Sequence, residues 1–266
     1  MFKTPWRAVV TFTMGLTLLV VGTICAQQFT QSPEDKKAAQ LVCQMIHRYH
    51  ISQAKIDDGV SKKTLKRYLE TVDPLKLYFT QTDIDEFNKS ETLLDDQLLA
   101  GDVSFGYRVF KLYLQRVDAR LKTVGRWIHA EHDFNADESR LVDRDSIKWA
   151  RTSGELDDRW RKRVKAELLA KKLDGTKLED ARKQLVKRYN NVGRNEKQTE
   201  SSEVLQRFLS AMTHSFDPHS SYMSPQTRED FDISMRLRLQ GIGAALSSED
   251  GFTVVRTVVP SGAADK

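Results

Sequence analysis

From about residue 32 to residue 216, apolar residues recur at intervals of three and four, and no strand-like alternation interrupts them. A chain patterned this way must bury one stripe of each helix against other helices. The expectation is a mainly α protein: a multi-helix domain, followed after residue 235 by a short β-rich segment.

The helix boundaries are marked. Ser32-Pro33-Glu34-Asp35 supplies a hydroxyl cap, a proline in the first turn and acids beside the positive end of the helix. Ala38, Leu41, Val42, Met45, Ile46 and Tyr49 follow as one stripe, predicted to face inward. A second helix is predicted over 57–71, with Val60, Thr64, Leu65, Tyr68 and Leu69 inside, ended by Asp73-Pro74. A third opens at Thr82-Asp83-Ile84-Asp85, turns Ile84, Phe87, Leu94 and Leu98 inward, and stops at Gly101. A long fourth covers 103–130. Residues 131–154 have weak periodicity and read as irregular, with one short helix around Trp149. A helical hairpin then turns at Asp174-Gly175, lined by Trp160, Val164, Leu168, Leu169 and Leu173 on one arm and Leu178, Ala181, Leu185 and Tyr189 on the other. Val204, Leu205, Phe208, Leu209 and Met212 line a last helix, and strand patterning begins at Met235. About 180 helical residues suffice for a single core.

The first residues carry a different message. Lys3 and Arg7 precede an uncharged apolar run over 8–24, and Ala26 offers a small residue for cleavage. That is the layout of a secretory signal peptide over 1–26. An uncleaved membrane anchor is the competing reading, but Gly15, Gly22 and several threonines make the run weakly apolar for a permanent span. Ile24 sits where a lipidated Cys25 would need a small residue before it. Loss of the segment removes two basic groups and no acid, lowering the formal charge from +5 to +3, and leaves Cys43 as the single cysteine. An exported chain without disulfides must be held by its core. Cys43, inside a helical stretch, reads as a buried, inert thiol.

Several constellations suggest chemistry. Residues 157–194 hold thirteen Lys or Arg against six acids, but the cations fall between apolar helix positions, so a charged helical face is favoured over a nucleic-acid stripe. His47 and His50, like His129 and His132, have helical spacing but lack a third ligand nearby. No metal or cofactor is expected. His214, Asp217, His219, Ser220 and Ser221 crowd together, yet nearness in sequence does not make a triad. Asp217-Pro218 reads as a turn. The tail differs: Gly241 and Gly243 flank Ile242 ahead of an apolar strand. Such glycines can aim successive backbone N–H groups at a carboxylate, and an open strand edge can pair with a peptide.

Phe216-Asp217-Pro218-His219-Ser220-Ser221-Tyr222-Met223-Ser224-Pro225, Phe231, and Leu239-Gln240-Gly241-Ile242-Gly243-Ala244-Ala245-Leu246 together resemble the entry into the PDZ domain of tail-specific proteases. Val258-Val259-Pro260-Ser261-Gly262-Ala263-Ala264 is similar to a later landmark of that domain. Tyr68-Leu69-Glu70-Thr71-Val72-Asp73-Pro74, Tyr78-Phe79 and Thr82-Asp83-Ile84-Asp85-Glu86-Phe87 are similar to the family's helical N-terminal domain. The resemblance implies a helical domain over 27–234, the start of a PDZ domain over 235–266, and a periplasmic protein that degrades or trims protein substrates with free, apolar C-termini. Leu239, Gln240, Gly241, Ile242, Gly243 and Ala244 are the implied binding loop, with Arg236 and Arg238 as candidate basic residues before it. The family's catalytic serine and lysine lie after the PDZ domain, so no residue among these 266 is expected to be catalytic. A lipoprotein adaptor is a compatible partner, and the membrane enters only through an uncleaved leader. The alternative reading is a non-catalytic exported helical binding module.

Overall fold

The computed structural model describes residues 29–236, 241–249 and 252–265. The predicted leader, Arg238, Leu239 and Gln240 lie outside the described residues. The fold is mainly α with a small antiparallel hairpin. In order, the helices are α1 (Pro33–Tyr49), α2 (Asp58–Val72), α3 (Gln81–Asn88), α4 (Leu94–Ala100), α5 (Ser104–His129), α6 (Ser153–Leu173), α7 (Leu178–Gln198), α8 (Ser201–Thr213) and α9 (Pro225–Arg236). Strands β1 (Ala244–Glu249) and β2 (Phe252–Val258) follow, then a short 3-10 turn over Ala263–Asp265. No described helix is long and apolar enough to cross a membrane.

The start signal at Ser32 forms a reciprocal cap. Its hydroxyl accepts from the Asp35 N–H at 3.1 Å, and its N–H donates to the Asp35 carboxylate at 2.8 Å. The inner stripe of α1 differs from expectation. Ala39, Cys43 and Ile46 are buried, whereas Leu41, Met45 and Tyr49 are more than half exposed. The smaller residues allow α1 to approach α4 and α8, while Leu41 and Met45 face a groove shared with Met223 and Ile233.

The predicted third helix is two helices. Thr80, rather than Thr82, begins α3: its N–H and hydroxyl both donate to Asp83 at 3.0 Å. The run Lys89-Ser90-Glu91-Thr92 has no apolar anchor and becomes turns, after which the Ser61 hydroxyl receives the Leu94 N–H and α4 starts afresh. Gly101 ends α4 in the left-handed region as expected, at φ 80°. Residues 130–152 carry no helix, including around Trp149. The strand pattern expected from Met235 is absent there. Met235 lies in α9, an unanticipated helix whose Ser224-Pro225 start repeats the Ser32-Pro33 signal, with the Thr227 N–H on the Ser224 hydroxyl at 3.2 Å.

Two clusters replace the expected single core. One gathers α1–α4, α8 and the first half of α5 around Tyr68, Phe79, Phe110 and Phe208. The other joins the end of α5 to α6 and α7 around Ile128, Trp160, Leu168 and Leu185. Leu173, predicted inward, is 79% exposed at the hairpin turn. At about 1.5 Å per residue, the 26 residues of α5 span about 39 Å. That reach exceeds one helical layer, so α5 serves both clusters, and Leu121 and Tyr78 touch each of them.

Candidate functional site: the glycine turn before the hairpin

The turn holding Gly241, Ile242, Gly243 and Ala244 leads directly into β1, which pairs antiparallel with β2 from Ala244↔Val258 to Glu249↔Phe252. A bulge lies between Ala245 and Leu246. Gly243 has φ 77°, and a Cβ there would stand 3.1 Å from the Gly262 backbone. Both conformation and space therefore demand glycine. Gly241 is different: a Cβ there meets nothing within 4 Å among the described residues.

The carbonyls of this turn are used internally. Ile242 accepts from the Ala264 N–H at 2.8 Å and Gly243 from the Val259 N–H at 2.7 Å. Their N–H groups are not: those of Gly241, Ile242 and Gly243 donate to no acceptor among the described residues. These three successive N–H groups lie beside an exposed apolar Ile242; an anion can be held where such donors converge. Sequence reasoning missed the supporting wall. Ser261, at φ 65°, donates its N–H to Asp265 at 2.8 Å and brings Gly262 against Gly243. The Pro260-Ser261-Gly262 turn signature was the signal that could have found it. Arg236 ends α9 and is exposed.

The hydroxyl and imidazole cluster assembles differently from a hydrolase. His50 Nδ1 accepts the Ser52 N–H at 3.2 Å, so in the neutral ring Nε2 carries the proton. That Nε2–H faces Ser220 Oγ at 3.3 Å, and Ser220 in turn donates to Asp217 at 3.1 Å. Proton donation runs toward the serine, opposite to a base that activates a nucleophile. With the Phe216 ring tilted against His50, centroids 5.5 Å apart, this chain ties residues 216–220 to the end of α1. His214 and His219 join no such chain, and Ser221 remains exposed.

His132 bonds the Trp127 carbonyl at 2.7 Å, and no group of three or more metal-ligating side chains occurs among the described residues. Cys43 is buried, and burial pushes its thiol up to about 11. The basic window is more than a solvated face. Lys165 is buried and paired with Glu138, while Arg161, Lys162, Arg163 and Arg182 each hold a carboxylate.

A family model described as "Tail specific protease N-terminal domain" matches residues 42–226. The chain belongs to this family. It is also 32% identical over 236 residues to a protein of Haemophilus influenzae named tail-specific protease, an alignment covering 88% of this chain and 34% of that protein. The chain thus spans about a third of that relative's length. The family match ends at residue 226, before the glycine turn.

Proposed function

We propose that this chain is the front part of an exported serine endopeptidase of the periplasm, in which the helical domain leads into a PDZ domain that captures free, apolar protein C-termini. The catalytic serine and lysine belong to sequence beyond residue 266, and the whole protein degrades or trims what the PDZ domain holds. The observation carrying this reading is the turn at Gly243: a left-handed glycine, three N–H groups with no acceptor among the described residues, and an exposed Ile242 beside them. A terminal carboxylate satisfies such donors, and Ile242 offers contact to the last side chain; Leu239 and Gln240, which precede it in sequence, complete the proposed loop. Ala244, at the first strand position, is where an added peptide strand would begin to pair.

The test uses protein expressed from the complete reading frame around this sequence and a peptide with an apolar, free C-terminus. Binding by isothermal titration should disappear when the peptide is amidated. It should also weaken at least about 50-fold in Gly243→Val, since a β-branched residue resists positive φ. Equal binding of acid and amide would refute carboxylate capture.

A further inference from the structure

A second recognition surface lies in the helical domain, on the connection between α5 and α6. This connection, residues 130–152, is well beyond the roughly 12–15 residues at which loops without secondary structure become uncommon. It is nevertheless held at both ends. Glu138 bonds Arg161 and Lys165 at 2.6 Å each, and these cations hold its carboxyl down at about 2. Further along, Lys76 bonds the Ile147 carbonyl, Arg159 bonds that of Lys148 at 2.7 Å, and the Gln81 N–H meets that of Ala150 at 2.8 Å.

Between these anchors runs Arg140-Leu141-Val142-Asp143-Arg144, displayed rather than tucked in. Leu141 is 65% and Val142 67% exposed. Together with Leu75, Leu77 and Ile147 they line a cleft of about 640 Å³. Ile147 is buried and Leu75 and Leu77 are half-buried, so the cleft is apolar at its base.

Its lining carries five cations, Arg140, Arg144, Arg159, Lys162 and Arg163, against two carboxylates, Glu155 and Asp158. Arg159, Lys162 and Arg163 line it, but Glu155, Asp158 and Glu167 respectively pair with them. Arg140 and Arg144 also line it and have no hydrogen bond or ion pair among the described residues. The nearby Asp143 is outside the cleft lining and accepts the Ser146 hydroxyl and the Asp145 N–H. An apolar base with two uncommitted guanidiniums calls for aliphatic groups next to carboxylates.

We propose that this cleft docks a polypeptide segment of a partner protein in which aliphatic residues stand next to acidic ones. The aliphatic side chains cover Leu141, Val142 and the cleft base, and the acidic side chains pair with Arg140 and Arg144. Recognition here needs no free C-terminus, which separates it from the glycine turn.

The probe is an acetylated and amidated peptide, Leu-Val-Leu-Glu-Glu, titrated calorimetrically into the 266-residue protein at low salt. Its blocked end removes any contribution from carboxylate capture, so failure here and failure at the glycine turn are distinguishable. The expected result is binding at least tenfold tighter than for Leu-Val-Leu-Lys-Lys, weakening with added salt. Arg140→Glu with Arg144→Glu, and separately Leu141→Ser with Val142→Ser, should each weaken it at least tenfold. All four side chains are exposed, and circular dichroism checks that both variants keep the parent's helix content. No heat at millimolar peptide, equal binding of the lysine peptide, or unchanged affinity in either folded double variant overturns the proposal. So does decanoate binding as tightly as the peptide, which would assign the cleft to aliphatic carboxylates rather than to polypeptide.

Discussion

Asp83 shows how one side chain at a helix start can hold two elements together. It accepts from Thr80 twice and from Arg116 of α5 at 2.6 and 3.1 Å, while only 6% of it is exposed. Burial alone would raise its pKa; the Arg116 and Thr80 donors outweigh that and hold the carboxyl below its usual range. Asp83→Ala leaves these donors unmet and should cost about 2–3 kcal/mol in urea unfolding, a figure already discounted because Arg116 is 42% exposed. The sign with pH follows from the lowered folded pKa. The stabilisation is complete above the unfolded value of about 3.9 and is lost as pH falls through the lower folded value. The gap between parent and Asp83→Asn unfolding midpoints should therefore narrow between pH 7 and strongly acid conditions; a constant gap would rule out ionisation as the source. At this scale the sequence was partly readable. The burial of Cys43 followed from its place inside a helical stretch and the apolar character of a free thiol, not from the predicted stripe. Thr80 and Thr82 each stand three residues before an acid, Asp83 and Asp85, so the start of α3 is ambiguous in sequence, and the bonds from Thr80 to Asp83 decide it.

At the scale of elements, helix–helix distance is set where side chains are missing. A Cβ on Gly106 of α5 would meet the Phe208 ring of α8 at 2.9 Å, whereas one on Gly125, later in the same helix, would meet nothing within 4 Å. Gly106→Ala should destabilise by about 1–3 kcal/mol through overpacking. Gly125→Ala should stabilise by about 0.5–1 kcal/mol through helix propensity. Thermal unfolding of the two variants reads both signs, and shifts in the same direction would refute the assignment. Helix existence was legible wherever a long apolar stripe ran, as in α2, α5, α7 and α8, although of these four only α2 carries a side-chain cap, at Asp57. Periodicity could not say which of two possible stripes on α1 faces the core, because Leu41 and Met45 are as apolar as Ile46. Nor did it reveal α9, whose sparse apolar residues leave it with no buried side chain. The glycine turn was legible as a glycine turn. Its support by Ser261, Gly262 and Asp265 was not, since their approach depends on hairpin pairing.

Across the whole molecule, stability is unevenly placed. Trp160 is 1% exposed, bonds the Leu77 carbonyl at 2.7 Å and packs against Tyr78 and Tyr189. Trp160→Ala should cost about 3–5 kcal/mol. Hydrogen exchange should rise more in α6 and α7 than in α2 and α8; uniform loosening would mean the clusters behave as one. In the 266-residue chain the hairpin should be the weakest part, since an isolated two-stranded hairpin is marginal in water and Leu246, Val255 and Val259 are each more than half exposed. Limited proteolysis should cut after residue 236 while the helices persist. If the export reading holds, mass spectrometry of the cellular product should find an N-terminus near Gln27, not Met1.

Because α5 belongs to both clusters, its residue count also fixes an angle. Each residue advances the helix by about 100°, so Val117 in the first cluster and Val124 in the second are held in phase by the seven steps between them. One residue inserted there would swing Val124 and Ile128 away from Trp160 however well the helix itself formed. Seven would restore the facing to within about 20° while lengthening the rod by about 10 Å. The spacing along α5 thus acts as a dial: the relative orientation of the two halves is written in the number of residues between their contacts, independently of what those residues are.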